Sequence, residues 1–145
     1  NEYKILNQDI KLLVIDGNNL CNNPDGFIGL KVIIKIINTL GNKFQYMIFF
    51  DPGIKGMLKV NDRSLLKRLQ KEMPDVSFDM HVMAGNEEAD ETLLNFAQDK
   101  TSYVLSRDRF IDFRDKDAVK DDRVLPVQIL KSNVIINRLK FDCKY

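Results

Sequence analysis

Lys11 to Ile15 (KLLVI) is a short apolar run that stops at Asp16-Gly17-Asn18-Asn19, the pattern of a buried strand ending in a loop. Ile28 to Leu40 is apolar nearly all round and ends at Gly41-Asn42, which predicts a buried helix with a glycine stop. Tyr46 to Phe50 (YMIFF) repeats the strand pattern and breaks at Asp51-Pro52-Gly53. Strand, helix and turn alternate in this order, which argues for βαβ units and a parallel sheet.

Pro52 to Asn61 carries Pro52, Gly53 and Gly56 together with Lys55 and Lys59, and reads as a mobile loop. A helix follows, capped by Asp62, with Leu65, Leu66, Leu69 and Met73 on its inner face and Pro74 closing it. Val76 to Met83 alternates as a half-buried strand does. A further helix after Asn86 turns Ala89, Leu93, Phe96 and Ala97 inward. Tyr103 to Ser106 is a third buried strand, broken by Arg107-Asp108-Arg109. Arg123 to Ile129 and Asn133 to Ile136 read as two closing strands, with a helix as the alternative for the last. No repeat, low-complexity tract or linker interrupts the series. The expectation is one α/β domain over residues 1–145, a mostly parallel sheet flanked by helices.

Composition narrows the chemistry more than the fold. The chain has 145 residues and is 44% hydrophobic, enough for a sizeable core. Apolar runs such as Val32 to Ile37, interrupted by Lys35, are too short to span a bilayer, and no secretory pattern opens the chain. It begins at Asn1 without a Met, which reads as a processed form or a fragment of a longer protein. The formal net charge of +1 neither demands nor excludes a nucleic-acid partner. Cys21 and Cys143 are far apart and His81 is the single histidine, which sets aside structural zinc and paired-histidine ribonuclease chemistry. A Ser-His-Asp triad would need His81, which lies mid-strand and reads as a strand surface residue. What is left is carboxylate chemistry.

Asp16, Asp51 and Asp108 each follow an apolar strand. In an open parallel sheet such positions converge on one edge, where ligands bind. Glu87, Glu88, Asp90 and Glu91 open a helix, and Asp90 adjoins the inward face set by Ala89 and Leu93. Asp112 follows Asp108 by four residues, a spacing that shares one face if the turn is helical. Any one of these has an ordinary explanation as a turn residue, a cap or a partner for the helix dipole. Collected in one cleft, they repel one another unless a hard divalent cation intervenes. Mg²⁺ or Mn²⁺ in such a site serves phosphodiester cleavage.

At these residues the chain resembles the NYN branch of the PIN-domain nucleases, in particular the regnase-type ribonuclease domains. The resemblance runs through Val14-Ile15-Asp16-Gly17-Asn18-Asn19-Leu20, then Glu88-Ala89-Asp90-Glu91-Thr92-Leu93-Leu94, then Val104 to Asp112, and ends on Arg123-Val124-Leu125-Pro126-Val127. It implies a PIN-like three-layer fold and Mg²⁺- or Mn²⁺-dependent RNA cleavage. Asp16, Asp90, Asp108 and Asp112 match the family's catalytic metal-site acids, and Asn19 matches a supporting polar residue. Glu91 matches the second position of the acidic pair, where the family often has Asp. Asp51 matches no position of the pattern and is taken as a turn residue before Pro52-Gly53.

For the substrate, Arg107 and Arg109 flank Asp108, while Lys55, Lys59, Arg63 and Lys67 form a second cationic group read as a solvated loop and helix face. The Asn-rich turn from Asn18 to Asn23 offers donors to phosphate or base. The expectation is an endoribonuclease acting on RNA in the cytoplasm, with the oligomeric state open. The alternatives are a DNA- or flap-directed nuclease, an inactive PIN-like module binding RNA or protein, and a nuclease toxin neutralised by an immunity or antitoxin protein.

Overall fold

The computed structural model describes residues 10–145. Its centre is a five-stranded, all-parallel sheet in the order β5-β4-β1-β6-β7. The strands are β1 (Leu12–Asp16), β4 (Gln45–Phe50), β5 (Asp79–Val82), β6 (Ser102–Ser106) and β7 (Val124–Pro126). Leu13, Val14 and Ile15 of β1 and Val104 and Leu105 of β6 are fully buried, as central strands covered on both faces should be. One face carries the larger core, packed with α1 (Lys31–Leu40), α2 (Gly53–Leu58) and α3 (Asp62–Glu72). The other face, with Val14, Phe49 and Val104, is covered by α4 (Ala89–Asn95) and α5 (Asp117–Lys120). The α/β class and the flanked parallel sheet expected from the sequence are what the structure shows. No helix among the described residues is long and apolar enough to cross a membrane.

The order of the strands has a functional consequence. From β1 the chain moves outward to β4 and β5, then returns to the other side of β1 as β6 and continues to β7. The connections leaving β1 and β6 therefore diverge, and a crevice opens beyond their carboxyl ends. Asp16 is the last residue of β1, and Ser106 the last of β6.

Several elements differ from the sequence expectation. The helix expected from Ile28 starts at Lys31, because Gly29 sits at φ 72° and ends the preceding turn. Pro52 to Asn61 is largely helix α2, not a mobile loop; Ile54 is 1% exposed and holds it to the core. Asn61, not Asp62, caps α3: its side chain accepts from the Ser64 N–H at 2.9 Å. Leu66 is only half-buried on that helix. The strand expected over Val76 to Met83 is confined to Asp79–Val82, the residues that pair with β4. Phe96 caps the end of α4 and is 48% exposed, its ring meeting Phe49 edge-on at 4.9 Å between centroids.

Arg123 to Ile129 is not one strand. It divides into β7 in the main sheet and β8 (Gln128–Ile129), which pairs with β9 (Asn133–Ile136) in a small antiparallel sheet. A further strand, β10 (Phe141–Lys144), completes that sheet, and a short hairpin of β2 (Asn22–Asn23) and β3 (Gly26–Phe27) lies within the early loop region. Such short strands are defined by pairing across the fold and leave little periodicity to read.

Candidate active site

The loop after β1 is a single 3-10 turn, Asn18–Cys21, and it ties three strand ends together. The Gly17 N–H donates to the Phe49 carbonyl of β4 at 2.7 Å. A Cβ at Gly17 would lie 2.4 Å from that oxygen and 2.6 Å from the Phe50 ring, so close approach rather than backbone freedom demands glycine here. Asn18 Oδ1 accepts from the Asp51 N–H at 2.7 Å, and Asn19 Oδ1 accepts from the Arg107 N–H at 2.7 Å. The expected supporting residue Asn19 thus bridges the ends of β1 and β6, and its neighbour Asn18 does the same for β1 and β4. Beneath the turn, the buried Cys21 thiol has its pKa pushed up to about 12, chiefly by burial, and donates to the Gly17 carbonyl. It is an inert packing group.

Ser106 connects two of the expected acids. Its hydroxyl is fully buried, donates to Asp16 Oδ2 at 2.7 Å and accepts from the Asp108 N–H at 2.9 Å. Asp108 in turn accepts from the Phe110 N–H through Oδ1 at 2.8 Å. Asp16 and Asp108 therefore each have one carboxylate oxygen engaged by the chain itself.

Asp16 and Asp90 sit among like charges. Burial pushes the Asp16 pKa up to about 6; the Ser106 hydrogen bond opposes the rise, while the charges of Asp90, Asp108 and Asp51 add to it. Burial likewise raises Asp90, at the start of α4, helped by Asp108, Glu88 and Asp51. Every named charge acting on either group is negative. The structure thus brings Asp16, Asp90 and Asp108 to one crevice. Among the described residues, no three His, Cys, Asp or Glu side chains are closed into a ready coordination set. Ser106→Ala removes the hydrogen bond that opposes protonation, so the Asp16 pKa is expected to rise further above 6. A carboxyl-carbon NMR titration of both proteins measures this directly.

The other expected residues are exposed or paired with neighbouring groups. Asp112 is exposed in the 3-10 turn Ile111–Phe113, and its charge is not among those acting on Asp16 or Asp90. The helical spacing assumed for Asp108 and Asp112 does not hold, because Phe110 between them is left-handed at φ 55°. Glu91 is paired with Lys116 at 3.2 Å, and Lys55 with Asp62 at 3.1 Å. Lys59 is exposed just after α2, and Arg63 is exposed in the first turn of α3. The Arg107 guanidinium lies 3.1 Å from the Asn22 carbonyl and 3.5 Å from that of Asn19, while Arg109 is exposed.

Two contributors were not assigned from the sequence. Ser106 carries no role in the sequence pattern, although a serine closing a buried strand beside an aspartate is a recognisable signal. Asp51 was set aside as a turn residue, yet its charge bears on both Asp16 and Asp90.

A five-stranded parallel sheet flanked by helices, with carboxylates gathered at its switch point, defines a PIN-like domain of the nuclease type. The sequence model of the Zc3h12a-like ribonuclease NYN domain matches residues 9–138, and the chain belongs to that family. No curated protein matches it. The family is one of ribonucleases, with RNA as the class of substrate.

Proposed function

We propose that the chain is a divalent-metal-dependent endoribonuclease that hydrolyses RNA phosphodiester bonds at the crevice beyond β1 and β6. The observation that carries this reading is the acidic cluster: Asp90, Asp108 and Asp51 all act on the buried Asp16, and Asp108, Glu88 and Asp51 on Asp90. A cation from solution relieves that repulsion.

The donor set fits Mg²⁺ or Mn²⁺. Asp16 and Asp108 each keep one oxygen for a ligand after their internal hydrogen bonds, and Asp90 adds a third carboxylate from α4. Such ions take a few carboxylate oxygens and retain water, so an open arrangement suits them better than a closed cage. Asp112, expected as a fourth ligand, is exposed in the turn after Asp108, and the charge of Asp51 also acts on Asp16 and Asp90. When bound, a divalent ion supplies Lewis acidity and neutralises charge on the phosphate.

The chain's own residues do the rest. Ser106 fixes the rotamer of Asp16 and keeps it ionisable against burial. Asn18 and Asn19 hold the strand ends in register. Arg109 offers an exposed guanidinium beside Asp108 for a neighbouring phosphate.

Incubating the protein with single-stranded RNA and Mn²⁺ or Mg²⁺ is expected to give cleavage that chelation stops. Hydrolysis by water leaves 5′-phosphate and 3′-hydroxyl ends. Cyclic 2′,3′-phosphate ends, or cleavage unaffected by chelation, would sink the reading.

A further inference from the structure

Asp108 lines a second feature besides the acidic crevice. The loop after β6, the end of α5 and the segment from β7 into β8 enclose a groove of about 440 Å³. That volume falls within the range of small-ligand sites. Val119 and Val124 are half-buried along it, Pro126 is exposed, and Val127, 5% exposed, also lines it. Polar groups come from Arg109 and Gln128, both exposed. Asp122, another acid of the lining, is paired with Arg138 at 3.3 Å. The groove therefore offers an apolar surface, an amide and a guanidinium beside the carboxylate of the proposed reaction centre.

A nucleotide has the complementary parts. Its base is apolar on the faces and polar at the edge, and it is joined to an anion. We infer that this groove seats the unpaired base of the RNA nucleotide adjoining the scissile phosphate, and so selects where the chain cuts. The valines and Pro126 take the faces of the base, Gln128 meets its edge, and Arg109 meets a phosphate. A phosphodiester at Asp108 brings its neighbouring nucleotide to the groove, because Asp108 lines both. Only a single strand can enter, since a paired base keeps its faces stacked and its edge engaged. The inference rests on the ribonuclease reading for the direction of the RNA, but its binding can be tested apart from cleavage.

Valine-methyl NMR of the Asp16→Asn protein, which leaves the groove intact, provides the test. A single-stranded RNA tetranucleotide is expected to shift the methyl resonances of Val119, Val124 and Val127 and to leave the core residue Val32 unmoved. A duplex of the same sequence is expected to leave all of them unmoved. In otherwise unaltered protein, Gln128→Ala is expected to flatten the base preference at one position beside the cut by roughly 10-fold, the value of one hydrogen bond. Groove methyls that ignore the single strand, or respond equally to the duplex, overturn the subsite even if the parent protein cleaves RNA. An unchanged base preference in Gln128→Ala overturns it too. Shifts from the single strand in a protein that never cleaves uphold the subsite and remove the nuclease reading instead.

Discussion

Asp16→Asn is expected to lower the rate of RNA cleavage by ~10³-fold or more, while giving a protein more stable than its parent at neutral pH. The two effects have one cause. Asp16 is buried among like charges, and its pKa is raised from 3.8 to about 6. In the unfolded chain the same carboxyl ionises in its ordinary range, so between those two values the folded state holds the proton more tightly. Stability therefore falls as pH rises from about 4 to about 6, and the whole loss persists above that. A rise of this size is equivalent to about 3 kcal/mol, which partial contact with solvent reduces to on the order of 1–2 kcal/mol. Asparagine carries no charge to bury. At pH 7.5 the variant should melt higher than the parent, and near pH 4 the two should converge. Mn²⁺ should raise the melting temperature of the parent and not that of the variant, and the apparent affinity of the parent should climb with pH until Asp16 is ionised. Asp108→Asn is expected to match the loss of cleavage. Full activity in either variant, or a destabilised Asp16→Asn at pH 7.5, would contradict the role given to this cluster.

What the sequence made legible follows from where each signal is stored. β1, β4 and β6 are buried on both faces, so their residues form unbroken apolar runs with abrupt polar ends. In a parallel sheet those ends are also the ligand edge, so finding the strands came close to finding the site. The remainder was set by tertiary contact. Gly53 and Gly56 suggest a loop, but Ile54 buries and turns the segment into helix α2. Asp108 and Asp112 have a helical spacing, but the ring of Phe110, 1% exposed, is buried by a left-handed turn that a non-glycine residue does not announce. Asp51 shows a different kind of miss. Its place at the end of an apolar strand marks it as a site acid, whereas the family pattern has no position for it. The structure shows its charge acting on Asp16 and Asp90, so the strand-end position was here the better guide to proximity.

Arg123→Ala is expected to be the most destabilising single change among the polar residues, although Arg123 lies in no motif of the reaction. From the sequence it reads as the first residue of a closing strand. In the structure it is 3% exposed, and its guanidinium fills the space behind α4 and the start of β6. It donates to the carbonyls of Ala97 at 2.6 Å, Asp99 at 2.8 Å, Gln98 at 3.3 Å and Ser102, and it pairs with Asp121 at 3.3 Å. The carbonyls of Ala97 and Gln98 belong to the chain as it leaves α4, where backbone donors run out, and that of Ser102 opens β6. Truncation strands several of these carbonyls in a buried space, while the half-exposed Asp121 carboxylate returns to water, at a total cost of about 3–5 kcal/mol. For a chain of this size that corresponds to a fall in melting temperature of roughly 10 °C, measurable by calorimetry or circular dichroism. Arg123→Lys keeps the charge but not the planar fork, so it should recover only a minor part. Because α4 also presents Asp90 at its opposite end, the lysine variant tests whether the clamp reaches the site. Loss of Mn²⁺ binding in a protein that is still folded would show that anchoring α4 positions Asp90, whereas unchanged binding would confine Arg123 to holding the fold.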